Sequence, residues 1–119
     1  WTADQPVLKP EQRNRKRFLQ RSKKGGIELE NLTWHHKGGL LQGNIHIIEP
    51  GVASDGLIEH HGEEMGYVLE GELELRLGDD VWTLAQGDSF YFPSQIPHGY
   101  RNTGTVVARV LWVNTPVTF

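Results

Sequence analysis

The chain has no cysteine and only one methionine among its 119 residues. The missing thiols exclude a disulfide scaffold, a thiolate metal site and a cysteine nucleophile, and they are compatible with a reducing cytoplasm. Also missing is any run approaching the roughly eighteen apolar residues that a membrane-spanning helix needs. Mean hydropathy is −0.48, so a transmembrane helix is excluded and no membrane partner is expected. No charged-then-apolar leader opens the sequence. Its first residue is Trp1 rather than an initiator methionine, as expected of a chain that begins inside a longer protein or after processing. No serine or threonine sits in a nucleophile elbow and no glycine-rich loop offers a phosphate cradle, so nucleophilic and nucleotide chemistry are not expected.

What is present fits one domain. With 37% hydrophobic and 23% charged residues, the chain can fill one modest core but not two. Fourteen Gly and six Pro interrupt it often, which favours many short strands over a few long helices. The net charge of −3 hides a division. Residues 1–24 hold eight of the twelve basic side chains (Lys9, Arg13, Arg15, Lys16, Arg17, Arg21, Lys23, Lys24) against Asp4 and Glu11, whereas the other ninety-five residues carry four basic and thirteen acidic ones. The chain therefore divides into a basic linker or N-terminal arm, 1–24, and an acidic body, 25–119. The body should repel a phosphate backbone. The arm lacks a nucleic-acid-binding motif, which favours a solvated linker or an edge strand lying on the acidic body over a DNA-contacting arm.

Apolar periodicity then gives the elements. Pro6-Val7-Leu8 reads as a short strand, Lys9 to Phe18 as a polar connector or helical turn, and Lys24-Gly25-Gly26 as a turn. From Ile27 the apolar residues alternate through Leu29, Leu32 and Trp34, and a second stretch runs from Leu40 to Ile48 before Pro50-Gly51. Further strands are expected at Glu64 to Glu70, Glu72 to Leu77, Val81 to Leu84, Ser89 to Phe92, His98 to Asn102 and Val106 to Val113. That spacing predicts an all-β antiparallel meander or barrel.

The chemistry concentrates in two segments. In the first, His60-His61-Gly62-Glu63-Glu64-Met65-Gly66-Tyr67-Val68-Leu69-Glu70-Gly71, a histidine and a carboxylate four positions apart precede a strand ending at glycine. The second runs Gly87-Asp88-Ser89-Phe90-Tyr91-Phe92-Pro93-Ser94-Gln95-Ile96-Pro97-His98-Gly99-Tyr100-Arg101-Asn102. His60 and His61 are neighbours in an extended segment, so only one of them can face inward. Glu63, beside Glu64, should point to the rim. His35, His36 and His46 are expected in surface or structural roles.

Together these segments resemble the two motifs of the cupin superfamily, Gly-x5-His-x-His-x3-4-Glu-x6-Gly and Gly-x5-Pro-x-Gly-x2-His-x3-Asn. Registering on Glu64 and Gly71 places the second histidine of the first motif at His60, turned inward, and puts Ile58 where the first would stand. In the second motif Gly87, Pro93, His98 and Asn102 fall in register, with Gln95 in place of glycine. The resemblance implies a double-stranded β-helix, the cupin jelly-roll barrel, with a metal-ligand set reduced to His60, Glu64 and His98. Two imidazoles and a carboxylate suit one divalent ion (Zn, Fe, Ni or Mn), or the site has decayed and holds an organic ligand or water. Motif register also lines the cavity with Tyr100 and gives it Phe90, Phe92 and Trp112 as apolar walls.

A narrower resemblance rests on Ile58-x-His60-x-Gly62-Glu63-Glu64, on Ile96-Pro97-His98 and on the ending Ala108 to Phe119 with its Thr115-Pro116-Val117-Thr118-Phe119. These look like the C-terminal cupin domain of helix-turn-helix (XRE-type) transcriptional regulators. That resemblance implies a cytoplasmic, homodimeric domain that senses a small-molecule effector and reaches DNA only through an upstream domain outside this chain. The competing expectation is a mononuclear non-haem enzyme, in which His60, Glu64 and His98 hold Fe(II) for oxidative chemistry.

Overall fold

Strict alternation of leucine and charge at 72–77 produces the strand Leu73–Leu77 with one buried and one more exposed face, and the same period recurs in the strands Glu63–Glu70 and Ala108–Thr115. The computed structural model describes residues 6–19, 26–34, 38–54 and 56–116. In these residues a 3-10 turn at Pro10–Gln12 precedes nine strands. They are β1 (Arg15–Leu19), β2 (Gly26–Asn31), β3 (Gln42–Ile48), β4 (Glu63–Glu70), β5 (Leu73–Leu77), β6 (Asp80–Leu84), β7 (Ser89–Pro93), β8 (His98–Arg101) and β9 (Ala108–Thr115). His35 and His36, residues 1–5 and 20–25, and the last three residues lie outside the described set. No described helix is long and apolar enough to cross a membrane.

The strands form a six-stranded sheet in the order β1-β2-β3-β9-β4-β7 and a three-stranded sheet in the order β6-β5-β8, every pairing antiparallel. This is the all-β jelly roll that the cupin resemblance implies. The segment after β3 runs beside β8, bridging Ala53 to Arg101 and Ile58 to His98, and so widens the smaller sheet. Between the sheets Ile27, Leu29, Ile48, Val52, Val68, Leu73, Leu75, Phe92, Ala108, Val110 and Trp112 form one buried cluster. Along β9, Ala108, Val110, Trp112 and Asn114 are buried while the residues between them are half-buried. The inner face thus turns from apolar to polar as the strand approaches one end. Asn102, fully buried, ties the β8–β9 turn to the barrel: its Nδ2 donates to the carbonyls of Ile48 (2.9 Å) and Val106 (2.8 Å), and its Oδ1 accepts from the Gly104 N–H (2.9 Å).

At the N-terminal end Pro6 to Leu8 form no strand. Of Lys9 to Phe18, expected as a polar connector or helical turn, Pro10–Gln12 form a 3-10 turn, whereas Arg15–Leu19 pairs with β2 as the edge strand of the larger sheet, the alternative that the charge division offered. Arg-Lys-Arg-Phe-Leu carries no apolar alternation, so the sequence alone offers no strand signal. Its partner supplies the reason: Arg13 and Arg15 reach Glu30 at 3.2 and 3.6 Å, Arg15 and Arg17 reach Glu28 at 3.1 and 3.8 Å, and Arg17 reaches Glu49 at 3.4 Å. Part of the basic segment therefore lies on the acidic body as a strand, and its cations also blunt an exposed sheet edge.

Gly66 on β4 faces Phe90 and Trp112 across its two neighbours. A Cβ at this position would collide with the Phe90 ring and the Leu111 carbonyl, so glycine here is a packing requirement. Gly66→Ala should destabilise the fold by about 1–3 kcal/mol in chemical denaturation, the ordinary cost of overpacking. A change within the error of the measurement would show that the barrel relaxes around the methyl group.

Candidate functional site

Three side chains from separate elements meet on the polar part of the inner face. Glu64 points inward from β4, opposite Asn114 on β9 and Phe92 on β7. His98 opens β8 in the other sheet. His60 sits before β4 in a connector held by His60 N–H donating to the Ser94 carbonyl (2.9 Å) and Ser94 N–H donating to the Gly62 carbonyl (2.8 Å). The next residue, His61, is exposed, and Glu63 is an exposed rim carboxylate that accepts the Tyr91 hydroxyl at 2.9 Å.

Oε2 of Glu64 lies 3.0 Å from Nε2 of His60 and 3.0 Å from Nε2 of His98, while Oε1 accepts the Trp112 indole N–H at 2.7 Å. Nδ1 of His98 is 2.8 Å from the Ile96 carbonyl, and Nδ1 of His60 is 3.2 Å from the His61 carbonyl. Because a carbonyl oxygen only accepts, both Nδ1 atoms are assigned the ring hydrogen, and the neutral rings then carry their lone pairs on Nε2. Lone pairs facing a carboxylate repel it unless a cation stands between, either a proton on an imidazole or a metal ion. Consistent with this, Glu64 Oε2 and His60 Nε2 are buried with no partner in hydrogen-bonding geometry. The ligand atoms of all three residues lie within 4.8 Å of one another, and two imidazoles with one carboxylate is a set that divalent iron, manganese, nickel and zinc accept.

Electrostatics follow from this crowding. Burial alone would raise the Glu64 carboxyl, but the His98 imidazole, the Trp112 N–H and the Ser94 hydroxyl outweigh it and hold Glu64 down at about 2. For His98, burial works against the charged ring, yet the Glu64 carboxylate and the Ile96 carbonyl prevail and raise its pKa.

A cavity of about 210 Å³ opens beside these three side chains, lined by His46, Ser54, Gly56, Ile58, Glu64, His98, Gly99, Tyr100 and Trp112. Of the residues that motif register assigned to it, His98, Glu64, Tyr100 and Trp112 reach the cavity, and His60 joins them at the ligand cluster. Phe92 and Phe90 stand behind: Phe92 packs on the His98 ring at 4.7 Å, and Phe90 meets Trp112 edge-on at 4.8 Å. Ile58, at the position where the motif carries a further histidine, is an apolar part of the wall.

Sequence reasoning gave His46 a surface or structural role and did not place it at the cavity. This residue is 1% exposed and lines the cavity, its ring stacked on Trp112 at 4.5 Å and its Nδ1 3.0 Å from the Tyr100 hydroxyl. Ser94, fully buried beside Glu64, was also unmarked. For His46 the usable signal was register, since Asn44, His46 and Ile48 share the face that pairs with Trp112, Val110 and Ala108. The uninterrupted burial of β3 from Gln42 to His46 removes the alternation that would have disclosed that face.

Burial pushes the His46 imidazole down to about 3, against a smaller opposing pull from Glu64. Between 6.5 and that value the unfolded chain binds a proton at His46 that the folded chain does not. Its contribution is therefore intact above about pH 6.5 and lost as pH falls towards 3. His46→Leu should flatten the fall of melting temperature with pH across the acidic range. An unaltered slope would assign the acid sensitivity to other groups.

The Cupin domain family (Cupin_2) matches residues 44–114, from within β3 almost to the end of β9. The HTH-type transcriptional regulator PuuR of Escherichia coli (strain K12) is 38% identical over 71 residues, which are 60% of this chain and 38% of the regulator. This chain therefore spans well under half the length of that relative. Among solved structures, the Cupin_2 domain of an XRE family transcriptional regulator from Enterobacter cloacae superposes with a TM-score of 0.68 at 22% identity, over 77% of this chain and 98% of that one. FeII HppE superposes with a TM-score of 0.77 at 20% identity, over 95% of this chain and 62% of that one. At those identities the two structures show a shared fold. With more than half of its length matched by the family, and with the two-sheet jelly roll on which the motif histidines and carboxylate converge, the chain belongs to the cupin family.

Proposed function

We propose that this barrel is the effector-sensing and dimerisation domain of a helix-turn-helix transcriptional regulator, holding one divalent metal ion at His60, Glu64 and His98 and a small molecule in the cavity beside it. The observation that carries the reading is the pair of imidazole Nε2 atoms, each 3.0 Å from one carboxylate oxygen at the wall of a cavity of about 210 Å³. A bound ion would supply open coordination positions for a ligand headgroup. The chain's own residues set the rest: Trp112 fixes the carboxylate, the Ile96 and His61 carbonyls orient the rings, and His46, bonded to the Tyr100 hydroxyl, lines a mostly apolar cavity with it. Sequence identity to PuuR supports a regulator over an enzyme.

The second reading, an Fe(II)-dependent oxidative enzyme, is favoured by the two-histidine, one-carboxylate set and by the likeness to FeII HppE. Elemental analysis of the chain, purified without a histidine tag or chelator, together with an oxygen-consumption assay, separates the two. Near one metal ion per chain is expected, lost in His60→Ala and His98→Ala with the fold retained. Iron accompanied by oxygen consumption would establish the enzyme, and retention of metal by both variants would remove the assigned ligands.

Dimerisation is assigned to the outer face of β4 and β7, where Met65, Tyr67 and Tyr91 are 39%, 42% and 61% exposed on the side away from the cavity. An apolar, aromatic patch of this kind suits a self-complementary interface. Tyr67→Arg should convert a dimer to a monomer in sedimentation equilibrium without loss of metal. An unchanged dimer would place the interface elsewhere.

A further inference from the structure

We infer that Ser94 is the positioning residue of the His60, Glu64 and His98 site: its backbone holds the connector that carries His60, its hydroxyl serves the Glu64 carboxylate, and its loop orients His98. The inference rests on the metal assignment proposed above and adds what keeps three side chains from separate elements in one arrangement.

His60 lies outside the strands that carry the other two residues. Its connector is pinned by backbone contacts to both sheets instead. On the side of the smaller sheet, Ile58 N–H donates to the His98 carbonyl at 2.9 Å and His98 N–H to the Ile58 carbonyl at 2.8 Å. On the other side, His60 N–H donates to the Ser94 carbonyl at 2.9 Å, and Ser94 N–H donates to the Gly62 carbonyl at 2.8 Å. Ser94 thus brackets His60 with both of its backbone groups. Gly62 presses this bracket against the end of β9: its φ is +113°, and a Cβ there would collide with the Thr115 carbonyl.

The same residue reaches Glu64 through its side chain. Ser94 is fully buried, and its hydroxyl lies close enough to Glu64 to favour the ionised carboxylate. Yet among the described residues neither Ser94 Oγ nor Glu64 Oε2 has a partner in good hydrogen-bonding geometry. A buried hydroxyl in that condition costs stability, and alanine would fill nearly the same space without the penalty. What the hydroxyl supplies is a spare donor beside the carboxylate. With a cation on the side of Oε2 that faces the two imidazoles, the Ser94 O–H is available to the remaining lone pair, while the Trp112 N–H holds Oε1.

His98 is tied to the same loop two residues on. The Ile96 carbonyl stands 2.8 Å from His98 Nδ1, and Ile96 N–H donates to the Pro93 carbonyl at 3.1 Å, closing the turn that carries Ser94. The segment from Pro93 to Pro97 therefore meets all three residues of the set, His60 and His98 through its carbonyls and Glu64 through its hydroxyl. In the second motif Ser94 falls at an unspecified position between Pro93 and Gln95, which is why motif register leaves it unmarked. Second partners of this kind fix the direction in which ligand atoms point.

The test is Ser94→Ala, which removes the hydroxyl and keeps both backbone hydrogen bonds. Three quantities are read: Co(II) affinity by visible absorption, melting temperature, and, in the metal-free chain, the NMR signal of the Trp112 indole N–H, whose acceptor is Glu64 Oε1. Co(II) affinity at least fivefold weaker is expected, with a shifted indole signal and a melting temperature no lower than that of the unaltered chain. Ser89→Ala, which removes an exposed hydroxyl on β7, should change none of the three. An unmoved indole signal or an unchanged Co(II) affinity would overturn the inference. Weaker affinity with a lower melting temperature would also overturn it, because that is the mark of packing alone. If the unaltered chain binds no Co(II), the metal assignment fails, and the indole signal of the metal-free Ser94→Ala chain still decides whether Ser94 holds Glu64.

Discussion

Everything at the functional end of this barrel depends on the Glu64 carboxylate being held between two sheets. One oxygen is fixed by the Trp112 indole from β9 and the other faces His60 and His98, the latter from the smaller sheet. A buried carboxylate is costly without such partners. Here the partners are a neutral donor and two rings that need a cation to face it comfortably, so the fold carries a local electrostatic demand that a proton or a metal ion meets. The aromatic packing serves the same point. Phe90 and His46 contact the Trp112 ring and Phe92 contacts His98, so the donors around Glu64 are held by core residues and not by mobile side chains.

The position of this carboxylate was legible in the sequence because strand periodicity and motif spacing point the same way. Six residues separate Glu64 from Gly71, an even step along a strand lies between Glu64 and Val68, and both face inward. His98 and Asn102 were readable for the same reason, and Asn102 proves to be a turn clamp, with three hydrogen bonds, and not a ligand. His46 was not readable. Its neighbours Ile45 and Ile47 made it look like a structural strand histidine, and only the register of β3 against β9 shows that its face is the cavity's. Phe90 and Phe92 were readable as inward residues, but inwardness does not distinguish a cavity wall from the layer behind it; that depends on what stands in front.

The basic segment shows a different limit. Its strand β1 forms where Glu28 and Glu30 of β2, and Glu49 just after β3, meet its arginines, so the information is in the pairing and not in Arg-Lys-Arg-Phe-Leu itself. Exposed ion pairs of this kind contribute little individually. Several along one edge, together with the ladder hydrogen bonds, set the register of a strand whose own pattern leaves it open.

The geometry of β4 suggests how occupancy of the cavity reaches the outside of the barrel. Glu64 and Met65 are consecutive, one facing His60 and His98 and the other the solvent with Tyr67 two residues on. Glu63, the residue before, is bonded to the exposed Tyr91 of β7. Under the proposed sensing function, a shift of the carboxylate towards a cation or ligand would be passed along this hydrogen-bonded strand to the aromatic face proposed for a second copy. A ligand biases such a face only by the difference in its affinity for the two arrangements of the strand. Under that proposal the difference would be concentrated at Glu64, the buried carboxylate on the strand that also carries the exposed Met65 and Tyr67.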